Sequence, residues 1–369
     1  MNVKVIPKTE VTSLLNDWHQ EIRFRNYTKS QELKKEIDNK IHHMEEDQSV
    51  LLYYSLLDYR YKAFTEDFST GLHLTKDNFQ AIESFGSPTN DLLNYYYYFF
   101  KASNETALGN YRYAGKLYKQ AEILLTQIPD EVEKADFYFK YAAYCYCIQQ
   151  PLLVIKYTSK SEKIFSEQFG YDFNIACCKN MLGVAWISLK QFDQAETLIM
   201  EAIEILKRRN KKSEELILLR FHHNLGMLYA EKNQPIEAIK YFSKISARIP
   251  NHFKSVFLEA RERVKLKETE DAARLIERGL KICQELNNKQ YKYHFNILQD
   301  LNENAPAKVL EKSVLDAFTY FEHEGLHEYV REYAETLAIR FHEEGNYSKA
   351  SNYFYLVHKK REKQFQKGR

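Results

Sequence analysis

The stretch MEEDQSVLLYYSLLDYR, residues 44–60, sets one amide, Gln48, into an acidic tip between two segments that read as helices. An amide accepts and donates hydrogen bonds but is neither a nucleophile nor a base, so alone it can position a water or a backbone and little else. The other groupings that commonly carry chemistry fail on spacing. His42-His43 and His222-His223 are adjacent pairs, whose side chains point about 100° apart on a helix and do not converge on a metal. HEEGNYSKA, near residue 342, has no second histidine four residues after its first, which removes the metalloprotease reading. The five cysteines, Cys145, Cys147, Cys177, Cys178 and Cys283, form neither a C-x-x-C pair nor the framework of a small secreted domain and read as reduced, mostly buried thiols. There is no Gly-rich phosphate loop and no nucleophile elbow. On residue type alone, Gln48 is a solvated polar residue at a helix start, with Glu45 and Glu46 placed to suit the helix dipole.

What must position such a tip is a large, soluble, helical chain. With 369 residues, 44% hydrophobic and 28% charged, it is long enough for two or more domains with real cores. Lys+Arg of 53 against Asp+Glu of 51 leaves a formal charge of +2, which argues against direct nucleic-acid binding and against an anionic membrane surface. MNVKVIPKTEV lacks the apolar run of a signal peptide, and no stretch approaches the roughly 20 apolar residues of a span, so the expected location is cytoplasmic. The basic end KKREKQFQKGR reads as a solvated, frayed helix terminus.

Only 11 Gly and 7 Pro interrupt runs such as DEVEKADFYFKYAAYCYCIQQ, where apolar residues recur at three- and four-residue steps, so an all-α fold is expected. A repeat runs through it. Gly109, Tyr111, Ala114, Tyr118 and Ala121 are echoed by Phe192, Ala195, Ile199 and Ala202, by Ala238, Phe242 and Ile245, and by Gly345, Tyr347, Ala350, Phe354 and Val357. LGVAW at 182–186, LGMLY at 225–229 and LAIRF at 337–341 supply matching first helices. This resembles the tetratricopeptide repeat, in which small residues let two antiparallel helices approach and aromatics fill the gaps between units. Weaker units are expected near Ile155, Ala272 and residue 311. A generic bundle in which small and large residues alternate by chance is the alternative, and four in-register copies weigh against it.

Residues 1–70 stand outside the repeat: EVTSLLNDWHQEIRFRN, KSQELKKEIDNKIHHMEE and SVLLYYSLLDYRYKAFTEDF each carry a helical apolar stripe, giving a three-helix bundle. Polar STGLHLTKDN at 69–78 separates this bundle from the repeats, and Thr89 or Asn90 in SPTN suits the N-cap of the next helix. The expected organisation is a bundle over 1–70, a helical linker over 71–95, and about six to seven repeats over 96–369.

MEEDQSVLLYYSLLDYR, LLNYYYYFFKA and VEKADFYFKYAAYCY resemble the corresponding stretches of the Rap family, response regulator aspartate phosphatases and binding proteins of spore-forming bacteria. The similarity covers the whole chain. It implies an N-terminal three-helix bundle followed by a right-handed tetratricopeptide superhelix that binds a short secreted signalling peptide, called Phr. A phosphorylated response regulator brings its own phosphoaspartate and Mg²⁺, so no cofactor of this chain's own is expected; the partner phosphatase need only place a water in line and steady developing charge. By this resemblance Gln48 is the catalytic, water-positioning residue, a task a neutral amide suits better than a carboxylate that would repel the phosphoryl group.

The resemblance also implies a regulator-binding surface of Glu46, Asp47, Leu51, Tyr59, Leu92, Asp130, Glu133 and Tyr171, with Tyr59 standing where phenylalanine is expected. It implies a peptide site at Asn224 and Phe257, with Asn180 as a compensating amide because Ala185 and Ser188 stand where asparagine and aspartate are usual. Some Rap proteins hydrolyse the phosphoaspartate of a sporulation-phosphorelay regulator, some seize the DNA-binding domain of a competence transcription factor, and some act on mobile-element repressors. Leu51 beside the tip favours the phosphatase reading. Partners are thus a response regulator and a Phr-like peptide, bound by a monomer or weak homodimer.

Overall fold

The computed structural model describes residues 6–69, 77–85 and 90–367, with the side chains of 64–69, 77–78 and 362–367 outside that description. Among the described residues the chain is all-α, and its one extended contact is an isolated bridge between Ile6 and Met44. Helices α1 (Lys8–Arg23), α2 (Tyr27–Ile41) and α3 (Gln48–Ser69) form the N-terminal bundle, and a short α4 (Asp77–Glu83) comes next. The core of the bundle is Val11, Leu15, Trp18, Ile22, Ile37, Ile41 and Leu57, drawn from the three expected stripes. Of the expected linker over 71–95, residues 71–76 and 86–89 lie outside the described residues. Asn90 takes the N-cap it was predicted to share with Thr89, accepting from the Leu92 and Leu93 amides.

Antiparallel helix pairs then run to the end: α5 (Asp91–Ala107) with α6 (Tyr111–Leu125), α7 (Glu131–Cys147) with α8 (Pro151–Ser166), and α9 (Asp172–Ser188) with α10 (Phe192–Arg209). After them come α11 (Glu215–Glu231) with α12 (Pro235–Arg248), α13 (Phe253–Lys265) with α14 (Thr269–Glu285), α15 (Lys289–Asn302) with α16 (Ala307–Glu324), and α17 (His327–Glu343) with α18 (Tyr347–Lys367). The marker alanines Ala114, Ala195, Ala238, Ala272 and Ala350 are all buried. Glycines on the first helices of two pairs are packed closely as well: a Cβ on Gly183 would lie 2.5 Å from Ile199, and one on Gly226 would lie 2.7 Å from Phe242. Two markers shift by one residue. In α8 the buried position is Val154, not Ile155, and in α16 it is Leu310, whose amide bonds to Pro306 as that of Ala350 bonds to Asn346.

Contacts divide the chain into two compact units, one of residues 1–145 and 151–221, the other of 146–150 and 222–369. The first unit therefore holds both the three-helix bundle and the first three helix pairs, with α3 packed on α5. The second has its own core around Val256, Ala260, Ile276 and Phe295.

Candidate functional site

Gln48 is the first residue of α3 and is exposed. The turn before it is held from three sides. The Asp47 carboxylate accepts from the Ser49 and Val50 amides at 3.0 and 3.2 Å, capping α3. Its other oxygen meets Lys8 Nζ at 3.1 Å, and the bond from Lys8 with that from the Val50 amide holds its pKa below the ordinary carboxylate value. The Ile6 amide donates to the His43 carbonyl at 2.9 Å and the Glu45 amide to the Ile6 carbonyl at 3.2 Å, tying Ile6 to the tip. The amide of Gln48 thus projects into solvent from a fixed backbone, beside exposed Glu45 and Glu46. Leu51 is half-buried and packs partly against the bundle's own core.

The remaining residues of the expected regulator surface are arranged differently. Leu92, in the first turn of α5, is exposed. Tyr59, Glu133 and Tyr171 are interior, and the Asp130 carboxylate is paired with Arg23. Two forked bonds of 2.7 and 2.9 Å join the Arg23 guanidinium to the Asp130 carboxylate, which also caps α7 through the Glu133 amide. Phe24, closing α1, lies 5.4 Å from the Tyr171 ring, which itself stacks on Phe165. Tyr59 sits edge-on to Phe79 and near Phe100.

At the centre of this contact Glu133, only 1% exposed, is surrounded by donors. Arg60 Nη1 reaches it at 3.2 Å, the Tyr95 and Tyr96 hydroxyls donate at 3.3 and 3.4 Å, and His19 Nε2 lies at 3.6 Å. Arg60 Nη2 pairs with Asp136. Arg60 Nη1 also lies 2.7 Å from His19 Nε2, and His19 Nδ1 lies 3.5 Å from the Tyr53 hydroxyl. Burial pushes the His19 pKa down, against the Glu133 bond that raises it. Burial also works against ionising Glu133, but Arg60 and His19 outweigh it and hold that carboxyl well below its ordinary value. Asp136 is the carboxyl of the pair pushed up, by burial first and by Glu133. These ionic contacts join the bundle (His19, Arg23, Arg60) to α7 (Asp130, Glu133, Asp136).

His19, Arg23, Arg60 and Asp136 were not singled out from the sequence. The available signal was a charge on an apolar stripe: Arg60 is four residues after Leu56, and Glu133 four before Phe137, so each had to bury its charge against a partner.

Of the expected peptide residues, Asn180 is on α9 in the first unit, while Asn224 on α11 and Phe257 on α13 belong to the second. Both amide residues are half-buried. Phe257 packs against Tyr291, His294 and Phe295. Ala185 is buried in helix packing, and the Ser188 hydroxyl bonds back to the Val184 carbonyl at 3.3 Å, so neither presents a free polar group. No described helix is long and apolar enough to cross a membrane.

Residues 5–66 match the family described as response regulator aspartate phosphatase H, N terminal. Regulatory protein RapG of Bacillus subtilis (strain 168) is 33% identical over 276 residues, 73% of this chain and 73% of that protein. Response regulator aspartate phosphatase I of the same organism is 28% identical over 362 residues, 95% of this chain and 90% of that one. Among solved structures, a Rap protein complexed with Competence and Sporulation Factor superposes with a TM-score of 0.82 at 25% identity, covering 97% of this chain and 99% of the other. A bundle with a capped glutamine tip, followed by tetratricopeptide-type helix pairs and matched along most of its length by these relatives, places the chain in the Rap family.

Proposed function

We propose that the protein binds a phosphorylated bacterial response regulator and hydrolyses its phosphoaspartate, with Gln48 orienting the attacking water. The observation that carries this reading is the exposed amide at the rigidly capped start of α3. Its carbonyl accepts from the water and its NH₂ donates to a phosphoryl oxygen, both without bringing negative charge toward an anion. The water oxygen forms the new P–O bond as the P–O bond to the aspartyl carboxylate breaks; the carboxylate leaves and orthophosphate is released. The regulator supplies the Mg²⁺ that neutralises its own phosphoryl group, and this chain supplies position.

The ionic contact between bundle and α7 gives the reading an off state. While Asp130, Glu133 and Tyr171 are occupied by Arg23, Arg60 and Phe24, they are unavailable to a regulator. The bundle must leave α7 before these residues can serve as a docking surface, and a Phr-like peptide would inhibit by favouring the docked arrangement; the solved relative bearing Competence and Sporulation Factor supports a peptide ligand. The test is to mix purified protein with a panel of radiolabelled phospho-regulators. Loss of label from one of them is the expected result. Retention of label by every regulator the protein binds, with a block of DNA binding by one of them, would replace hydrolysis by sequestration of a transcription factor.

A further inference from the structure

Beside the ionic contact, and wholly within the first unit, lies a cavity of about 100 Å³, room for several waters, whose charged lining is four cations, Arg23, Arg25, Arg60 and Lys140, against one carboxylate, Asp136. The cations come from both sides of the contact: Arg23, Arg25 and Arg60 from the bundle and the turn after α1, Lys140 from α7. Arg23 is 5% exposed, and although its two Nη atoms hold Asp130, its buried Nε–H makes no hydrogen bond to protein. A buried charged donor left in that state is costly, and it lines the cavity. Arg25 lies over the Phe173 ring with Cζ 4.3 Å from its centre, which fixes the guanidinium plane. Phe100 and Phe173 supply low-dielectric walls, where an anion's interaction with fixed guanidinium groups is strong.

We propose that this cavity is a binding site for a small multivalent oxyanion of phosphate size, either free orthophosphate or the phosphate of a small phosphomonoester, which bridges the bundle to α7. The buried Nε–H of Arg23 is a charged donor such an oxyanion can accept from, with the positive charge of the lining around it. A ligand held by both sides binds the docked arrangement and not the separated one, so it stabilises docking by mass action. The binding claim stands on the cavity alone. Its regulatory consequence, weaker regulator engagement in the presence of the anion, rests on the proposed function and is read separately.

The experiment is thermal unfolding and isothermal calorimetry of the full chain with orthophosphate and with glycerol 3-phosphate, against sodium chloride at equal ionic strength. Lys140→Gln and Arg25→Gln are the variants, each checked for unchanged helix content. The expected result is a saturable rise in melting temperature with orthophosphate beyond that of chloride, with affinity at least about tenfold weaker in either variant. Tighter binding of glycerol 3-phosphate than of orthophosphate would identify a phosphomonoester as the ligand, and equal or weaker binding the free ion. Absence of a saturable effect from either probe, or variants that bind as well as wild type, would overturn the site whatever the outcome of the phosphatase assay.

Discussion

Gln48 and Arg60 belong to one helix, twelve residues or about 18 Å apart along α3, and the surroundings of the two are opposites. Around Gln48 the protein fixes the backbone and leaves the side chain in water, so replacing it alters what the tip does and little of what holds the fold. Around Arg60 the guanidinium is buried and paired, with His19, Glu133 and Asp136 within reach, so removing a charged partner weakens the compensation of a charge in a dry site. On the proposed function, the same three helices would carry a chemical tip at one end and a conformational lock along one face. Tip variants should change rate, and lock variants should change the balance between docked and separated bundle.

The largest expected effect is at the tip. Gln48→Ala should slow dephosphorylation by about 100- to 1,000-fold with regulator binding nearly unchanged, as for loss of a group that acts only in the transition state. Single-turnover decay of a phospho-regulator reads the first and calorimetry the second. Normal turnover in this variant would remove Gln48 from catalysis.

Next is the lock. Glu133→Ala leaves buried Arg60 with Asp136 as its remaining carboxylate and takes the acceptor from Tyr95 and Tyr96, and should lower the stability of the first unit by about 3–5 kcal/mol, measured by urea unfolding. A loss below about 1 kcal/mol would mean that the cluster is no more than a surface ion-pair network.

Acidification is a milder probe of the same face. The His19 pKa is lower in the folded chain than its ordinary value of about 6.5, so the unfolded chain binds the extra proton and stability falls as pH drops below about 6.5, at up to about 1.4 kcal/mol per pH unit. His294 in the second unit, brought down to about 3 by burial and by Arg261, has the same sign. Glu133 adds its own loss only below its ordinary value of 4.5, as pH falls toward its depressed folded value. Trp18 is buried in the bundle, so its fluorescence in a Trp186→Phe background reports the first unit. The pH slope between 6.5 and 5 should flatten in His19→Gln; an unchanged slope would place the titration elsewhere.

The smallest effect concerns the turns between helices. Lys267 holds φ of 61° two residues before α14, where Gly345 holds 78° two residues before α18. A side chain in the left-handed region costs roughly 1 kcal/mol, so Lys267→Gly should stabilise by about 0.5–1 kcal/mol and Gly345→Ala, with open space around its Cβ, should destabilise by a similar amount.

Those turns also show why the repeat was only partly legible. Gly109 and Gly345 announce the left-handed residue, but the same position is filled by Gln149, Lys190, Asn233, Lys267 and Asn304, which no glycine pattern finds. The helical period and the buried alanines were readable because packing tolerates nothing larger at those positions; α8 and α16, whose marker positions hold Val154 and Leu310, slipped by one residue. Gln48 was legible as a polar residue at a helix start because local sequence determines where a helix begins, whereas the cap supplied by Asp47 was not singled out. Asp130, Glu133 and Tyr171 were singled out only by resemblance, as regulator contacts; their pairing within the chain was not legible, because the partners His19, Arg23, Phe24 and Arg60 lie 73 or more residues away from Glu133 in sequence and only the fold brings them together.

The central claim is that docking of the bundle on α7 and engagement of a regulator exclude each other. Its most direct test is regulator affinity of Arg60→Gln against wild type, by calorimetry, in protein of unchanged helix content. Arg60 lies outside the expected regulator surface, so its loss should free the bundle without removing a contact. The account predicts binding about tenfold tighter, since a lost buried charge pair shifts the docking equilibrium by more than about 1.4 kcal/mol. Affinity equal to wild type or weaker would contradict it.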